Sequence, residues 1–524
     1  MYLKANSPHA LAAGKSVIGF NVINGKEVEG DLSLIQSKSA VDSRDLVGMF
    51  PDSGEKDVAR AAKAAADAFP GWSETPASVR GAMVQRTAGI LAEHREKLAR
   101  IVTREIGMTP REALGEVQEA IDSCTFFASE IRHLPGLTLP SGVATQRRPV
   151  GVCGILATGS SPLAAPVRRI LPALLCGNTV VWKPSDNAPT AAYLLLRAMM
   201  EAGLPPGVVN TVNGRGRAGC GKHFLAGIDK GHFQSFSFLG SPALGRIVGE
   251  TCGRNLLIPS LDLVGKGALV VLPDADLDRA VEDALQAVFG HAGQRPVGLV
   301  NILLHTACAS EFRQRFTDRV AGLTVGNPMT DPEVAYGPMI NARTATAFRE
   351  HWELGRREGA TLLSGGEQWT EATRTSQVKG DIAHGVYMQP CLWDGVTPDM
   401  ALFENQVLGP TVNLGTVKNL DEALAWTTGA ACGFAVSLYT QDRSSIERFK
   451  RETCAGLIGI NRPTGDPEAR LPFAGHGTRP GGTLALDGFA RWQAVCGDGG
   501  DRLLPIPADG RTSKSPVKTD WASL

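Results

Sequence analysis

Residues 149–186, PVGVCGILATGSSPLAAPVRRILPALLCGNTVVWKPSD, run from an apolar strand through a helix-compatible segment to a second apolar strand. VCGILA and TVVW are short runs suited to strands, and Gly177 stands before the second where a helix C-terminal cap belongs. The alternation continues with VVNTV and FSFL, each followed by a helix-compatible stretch, and Gly203 with Pro205 and Pro206 closes the intervening helix. Strands alternating with helices predict a parallel sheet, because a parallel crossover needs a long connection and helices then cover both faces.

Residues 150 to about 260 are therefore expected to form a Rossmann-like α/β unit. A second alternating set follows in GALVVL (267–272), LGPTVNLGTV, FAVSLYT and GLIGIN. Upstream, SVIGFNVINGKEVEGDLSLI (16–35) places β-branched residues around Asn24-Gly25, a short-range hairpin signal. Val58, Ala61, Ala62, Ala65 and Ala68 recur at helical spacing. TPREALGEVQEAI opens with Thr109 as N-cap, Pro110 at the first helical position and Glu112 completing a capping box. Both segments read as amphipathic structural helices without chemistry.

At 524 residues the chain exceeds one hydrophobic core and suggests roughly two to four domains. Lys plus Arg equals Asp plus Glu at 53 each, so no net charge draws it to nucleic acid or an anionic membrane. Its ten cysteines include no CxxC pair, which fits buried thiols in a reducing compartment. The N-terminus lacks a signal-like apolar core, and no run approaches the ~18 apolar residues of a membrane span. A cytoplasmic protein without membrane or nucleic-acid partners is expected. The segment from 506 to 524, rich in Gly, Pro, Ser and charge, reads as a tail.

GRAGCGK (216–222) imitates a P-loop, but His223 stands where such a loop needs Ser or Thr for Mg²⁺. His223 and His232 lie in no metal-ligand spacing, so no metal site is expected. His476 in LPFAGHGTRPGG reads as part of a close chain crossing. FLGSPALGR (238–246) is more informative. Gly240 and Gly245 bracket Ser241, an N-cap, and Pro242 at the first helical position, directly after a strand. That arrangement aims unpaired N–H groups at a ligand and suits a pyrophosphate.

Taken together, PVGVCGILA, PALLCGNTVVWKPSD, AGLPPGVVNTVNG, FLGSPALGR, LDLVGKGALVVLPDADLDRAV, GPMIN, VTPDMALFENQVLGP and LPFAGHG resemble the aldehyde dehydrogenase superfamily over about residues 20–490. Within it, INRPTGDPEARLPFAGHGTRP looks most like succinylglutamate semialdehyde dehydrogenase. The resemblance implies a dinucleotide-binding domain from 14–127 and 150–265 and a catalytic-type α/β domain over 266–455. It also implies a small β oligomerisation element from 128–149 and 480–505, and a homodimer or homotetramer. The implied chemistry is attack of a cysteine thiolate on an aldehyde, hydride transfer to NAD or NADP, and release of the acid by water that a glutamate activates.

Lys183, Ser185 and Asp186 match the family's adenosine-ribose segment, and Gly240, Ser241 and Gly245 match its pyrophosphate turn. Gln406 stands where a glutamate usually holds the nicotinamide ribose, and an amide lacks its charge assistance. Cofactor binding is expected to persist in weakened form. The family's LELGG is here LDLVG, which makes the water-activating residue Asp262, one methylene short. Its oxyanion-binding asparagine corresponds to Ser160. Its GQxC aligns with Gly293, Gln294, Arg295 and Pro296, so proline occupies the nucleophile position and supplies neither a thiol nor an N–H to the oxyanion.

The expectation is a member of this superfamily that has lost conventional aldehyde oxidation and acts as a binding or assembly subunit for a small-molecule ligand. The alternatives are an NAD(P)-linked semialdehyde oxidoreductase, or a lyase or isomerase, with a non-cysteine mechanism in which Asp262 is the base. A semialdehyde dehydrogenase using another cysteine is a further rival, and Cys308 is the nearest in sequence.

Overall fold

The computed structural model describes residues 16–133, 143–216, 219–263, 265, 267–295, 298–405, 407–428, 434–464, 471 and 482–496. Its architecture is two seven-stranded sheets, each flanked by helices. The first sheet comprises β1 (Asn21–Ile23), β2 (Lys26–Val28), β3 (Val152–Leu156), β4 (Thr179–Lys183), β5 (Val209–Thr211), β6 (Ser235–Gly240) and β7 (Ser260–Leu263). Its order is β7-β6-β3-β4-β5-β1-β2. From β7 to β5 all neighbours run parallel, as the alternating pattern predicts. The antiparallel β1–β2 hairpin extends the far edge. Asn24 and Gly25 both have positive φ, 53° and 71°, which is what a two-residue turn matching the twist of its strands requires.

The helices up to residue 289, in chain order, are α1 (Glu55–Glu74), α2 (Ala77–Glu93), α3 (Arg95–Ile106), α4 (Pro110–Ser129), α5 (Ala164–Leu175), α6 (Pro189–Glu201), α7 (Cys220–Asp229), α8 (Pro242–Arg254) and α9 (Leu277–Phe289). The alanine stripe of α1 is buried through Val58, Ala61, Ala62 and Ala65. The capping box of α4 forms as read: the Glu112 N–H donates to Thr109 Oγ1 at 3.3 Å, and the Thr109 N–H to Glu112 Oε2 at 3.1 Å. Gly177 and Gly203, at φ 90° and 92°, close α5 and α6. Gly221 and Lys222 of the P-loop imitation lie inside the first turn of α7, with His223 following them.

The N-cap residues of α5 and α6, Leu163 and Ala188, supply no side-chain cap. Buried carboxylates from other helices supply it. Glu116 of α4 accepts from the Leu163 and Ala164 N–H groups, both at 2.9 Å, and from Ser161 Oγ at 3.0 Å. Glu105 of α3 accepts from the Thr190 and Ala191 N–H groups at 2.9 Å and from Ser37 Oγ at 2.6 Å. Carboxyl oxygens at a helix N-terminus satisfy the orphan N–H donors that the first turn leaves.

The second sheet comprises β8 (Gly267–Val271), β9 (Leu299–His305), β10 (Thr361–Ser364), β11 (Cys391–Asp394), β12 (Thr411–Val417), β13 (Ala435–Tyr439) and β14 (Leu457–Ile460). Its order is β10-β11-β12-β9-β8-β13-β14, parallel except for the β10–β11 edge. Ala268 to Val271 and Ile302 to Leu304 are buried, as strands covered on both faces must be. Residues Val143–Pro149 and Ala490–Cys496 pair as a separate antiparallel ribbon.

Candidate active-site cleft

At the carboxyl end of β4, Lys183 is buried, and its Nζ donates to the Pro184 carbonyl at 2.8 Å. An ammonium has three donors, so this bond leaves capacity for a ligand. Ser185 Oγ accepts from the Asn187 N–H, and Asp186 Oδ2 from the Gly216 N–H at 3.3 Å. At the end of β6, Ser241 caps α8 by accepting from the Leu244 N–H at 3.4 Å, with Pro242 at the first helical position. Gly245 allows α8 to close on β7, since a Cβ there would overlap the Leu263 side chain. The buried ammonium and the capped helix terminus stand at the carboxyl ends of two strands on either side of β3 and suit an anionic dinucleotide. Gln406 lies outside the described residues.

Asp262 occupies the edge strand β7. Residues two apart on a strand share a face, so Ser260 and Asp262 both point toward Arg169 of α5. Arg169 is 6% exposed and forms an ion pair with the Asp262 carboxylate, while its Nη1 donates to Ser260 Oγ at 3.4 Å. Burial pulls the guanidinium pKa down to about 9, and the neighbouring Arg168 charge acts in the same direction. The residue expected to serve as base is thus already engaged as a counter-ion.

The helix α9 ends in a turn at Gly290–Gly293 in which His291, Ala292 and Gly293 all have positive φ, at 50°, 52° and 67°. Two of these are not glycine, and such conformations persist only where the surroundings over-determine them. The surroundings here are specific. The His291 N–H donates to Glu112 Oε1 at 2.6 Å, and Gln294, wholly buried, accepts from the Ile340 N–H at 2.8 Å. Gln294 Nε2 also donates to the His291 and Pro338 carbonyls. A Cβ at Gly293 would overlap the Gly409 carbonyl. Burial lowers the His291 pKa to about 4 and keeps the imidazole neutral. Arg295 follows, with Nη2 at 3.5 Å from Glu112 Oε1. Pro296 lies outside the described residues.

This turn borders a cleft of about 1010 Å³. Ser160, Ser161, Glu112, Glu116, Arg168 and Arg295 line it, so the structure brings the Ser160 loop to the turn that precedes position 296. Asp262 is not among its lining residues. Ser160 is buried, with its hydroxyl 3.1 Å from that of Thr158. Burial raises the Glu116 pKa above the ordinary carboxylate range, against its helix N–H and Ser161 donors. The structural role of α4 extends beyond its own capping: Glu112 and Glu116 hold the two loops that border the cleft. The capping-box signal marked Glu112 for a local role only, and no local pattern marks a carboxylate whose partners lie tens of residues away.

Among the described residues no cysteine lines the cleft. Cys124, Cys153, Cys176, Cys220, Cys252, Cys308 and Cys391 are buried, and burial raises each thiol. Cys308 Sγ lies against the His305 carbonyl at 3.4 Å, beyond β9 from the turn. Cys454 is exposed, and Cys432 lies outside the described residues.

The aldehyde dehydrogenase family model matches residues 29–493. The chain belongs to this family. A malonate-semialdehyde dehydrogenase of Halalkalibacterium halodurans is 32% identical over 89% of this chain and 93% of its own length. The alpha-ketoglutaric semialdehyde dehydrogenase of Bacillus subtilis is 30% identical over 87% and 92%. An NAD-dependent aldehyde dehydrogenase of Sinorhizobium meliloti superposes with a TM-score of 0.85 at 28% identity, covering 94% of this chain and 96% of that one. These relatives are named for malonate and alpha-ketoglutarate semialdehydes, which corrects the narrower likeness to succinylglutamate semialdehyde dehydrogenase. Among the described residues no helix is long and apolar enough to cross a membrane.

Proposed function

We propose that this aldehyde dehydrogenase family member is an NAD(P)-linked oxidoreductase of acid semialdehydes that works without a cysteine nucleophile. The observation that carries the reading is the cleft, in which Arg295 and Arg168 lie along the approach to the turn at 290–295. Guanidinium groups suit the carboxylate end of such a substrate. The semialdehyde relatives, at about a third identity over most of the chain, support the same substrate class. The dinucleotide, when bound, supplies the hydride acceptor.

The chain's own residues then bind and orient. Lys183, Ser185, Asp186 and the Ser241-capped helix hold the dinucleotide in the first α/β unit, with Gln406 at the ribose. Ser160 and the arginines orient the substrate. Proline at 296 excludes the thiohemiacetal, so the hydrated aldehyde is the reacting form. Its C–H bond breaks with the electron pair leaving as hydride, both hydroxyl protons pass to solvent, and the carboxylate remains. The ribbon that pairs 143–149 with 490–496 leaves Trp492 51% exposed, which supports a homo-oligomer covering it.

The test is spectrophotometric: purified chain, NAD⁺ or NADP⁺, and malonate or alpha-ketoglutarate semialdehyde. NADH or NADPH formation that requires the semialdehyde is expected. Absence of turnover with both cofactors and both substrates refutes the reading. It would leave the second one, a ligand-binding or assembly subunit, which the engagement of Asp262 by Arg169 favours.

A further inference from the structure

The Lys183–Asp186 segment and the turn at 290–295 belong to different α/β units, and residues 338–341 of the second unit touch both. On one side Gln294, wholly buried, grips them: its Nε2 donates to the Pro338 carbonyl at 3.3 Å, and its Oε1 accepts from the Ile340 N–H at 2.8 Å. On the other side Asn341 Nδ2 donates to Asn187 Oδ1 at 2.9 Å. Asn187 directly follows Asp186, and its N–H is the one that Ser185 Oγ accepts. A bonded path therefore runs from the ribose segment through Asn187, Asn341 with the adjoining Ile340, and Gln294. The Oδ1 of Asn341 caps the helix Ala342–Arg357 by accepting from the Thr344 N–H at 2.9 Å. Aspartate would cap as well but has no donor, and serine would cap but is one bond shorter. The cap alone leaves the reach to Asn187 unexplained.

The turn supplies an element able to respond. His291 and Ala292 hold positive φ under strain, so a relaxed alternative exists, and bonds made from outside the turn decide which form is populated. We propose that the adenosine end of the dinucleotide alone sets this turn, with Asn187 and Asn341 as the positioning residues that carry the effect. Ribose hydroxyls engaging Ser185 and Asp186 fix the backbone on which Asn187 stands. A fixed Asn187 Oδ1 holds Asn341, and with it the Ile340 N–H that Gln294 requires. The Ser160 loop receives the same effect directly, because a Cβ at Gly159 would lie 2.7 Å from Ser185 Oγ and 2.9 Å from the Asn187 Cβ. Occupying the ribose segment thus orders both borders of the cleft without a contact from the nicotinamide end.

The inference rests on the dinucleotide reading for where the ribose lies, and its probe is ADP, which carries adenosine and a diphosphate but no nicotinamide. Amide exchange of the full chain is measured by mass with and without saturating ADP. ADP should slow exchange at 185–188 and also at 290–295, the latter by about fivefold or more, the lower end of ordinary coupling between sites. Asn341→Ser keeps the helix cap, and Asn187→Ala keeps the N–H that Ser185 accepts. In both variants the slowing at 185–188 should persist and that at 290–295 should vanish, while unchanged exchange in β9 shows that each is folded. Slowing at 290–295 by NAD⁺ but not by ADP, or slowing there that survives both substitutions, would overturn the proposal and leave dinucleotide binding intact. No slowing by ADP at 185–188 overturns both. Absent semialdehyde turnover with the ADP effect present defeats only the oxidoreductase reading.

Discussion

Arg169 and Asp262 form an ion pair between helix α5 and the edge strand β7, with Ser260 as the second acceptor of the guanidinium. The arginine reaches across because Ser260 and Asp262 share the helix-facing side of the strand. Removing one partner strands a charge where water is largely excluded. Arg169→Met should cost about 3–5 kcal/mol, and Asp262→Asn in the same chain should return most of that loss. Denaturant unfolding of the two single variants and the double variant measures this. Additive losses would show that the pair is not coupled.

Glu112 ties the left-handed turn at His291 to the N-terminus of α4. Glu112→Ala leaves the His291 N–H without its acceptor and should cost about 1–3 kcal/mol. Its distinguishing consequence is local. Amide exchange at residues 289–295 should accelerate more than in β9, and uniform acceleration would place the effect elsewhere.

Much of this site could not be read along the chain. The parallel sheets, the Asn24-Gly25 hairpin and the α4 capping box follow from periodicity and turn chemistry, which act over a few residues. The caps that Glu105 and Glu116 provide act across 85 and 47 residues, from Glu105 to Thr190 and from Glu116 to Leu163. Nothing in the local pattern of α4 distinguishes a carboxylate aimed at another helix from one aimed at solvent. The same limit applied to Asp262: its position in LDLVG was legible, and its engagement by Arg169 was not.

Burial raises the pKa of Glu116, so the folded state favours its protonated form more than the unfolded chain does. The contribution to stability is therefore fully present below the ordinary carboxylate value of ~4.3. It is lost as pH rises through the raised folded value. Glu116→Gln, which keeps an acceptor for the helix N–H groups, should flatten the decline in stability on the alkaline side of that ordinary value. Melting temperatures across pH 4 to 8 test this. An unchanged pH slope in the variant would mean that Glu116 is not the group responsible.

Ser241→Ala removes the side-chain cap of α8 and should cost about 1 kcal/mol of stability. If that helix terminus also faces the dinucleotide pyrophosphate, calorimetric NAD⁺ binding should weaken as well. Lost stability with unaltered binding would place the pyrophosphate elsewhere.

Thiol dependence of turnover tests the central claim most directly. NAD(P)H formation from alpha-ketoglutarate semialdehyde is followed before and after the folded protein is treated with iodoacetamide, with modification read by mass. A rate that survives alkylation of the accessible thiols is predicted, because position 296 carries no sulfur and the described buried thiols stay protonated. Turnover that disappears in proportion to alkylation of one cysteine would contradict the account.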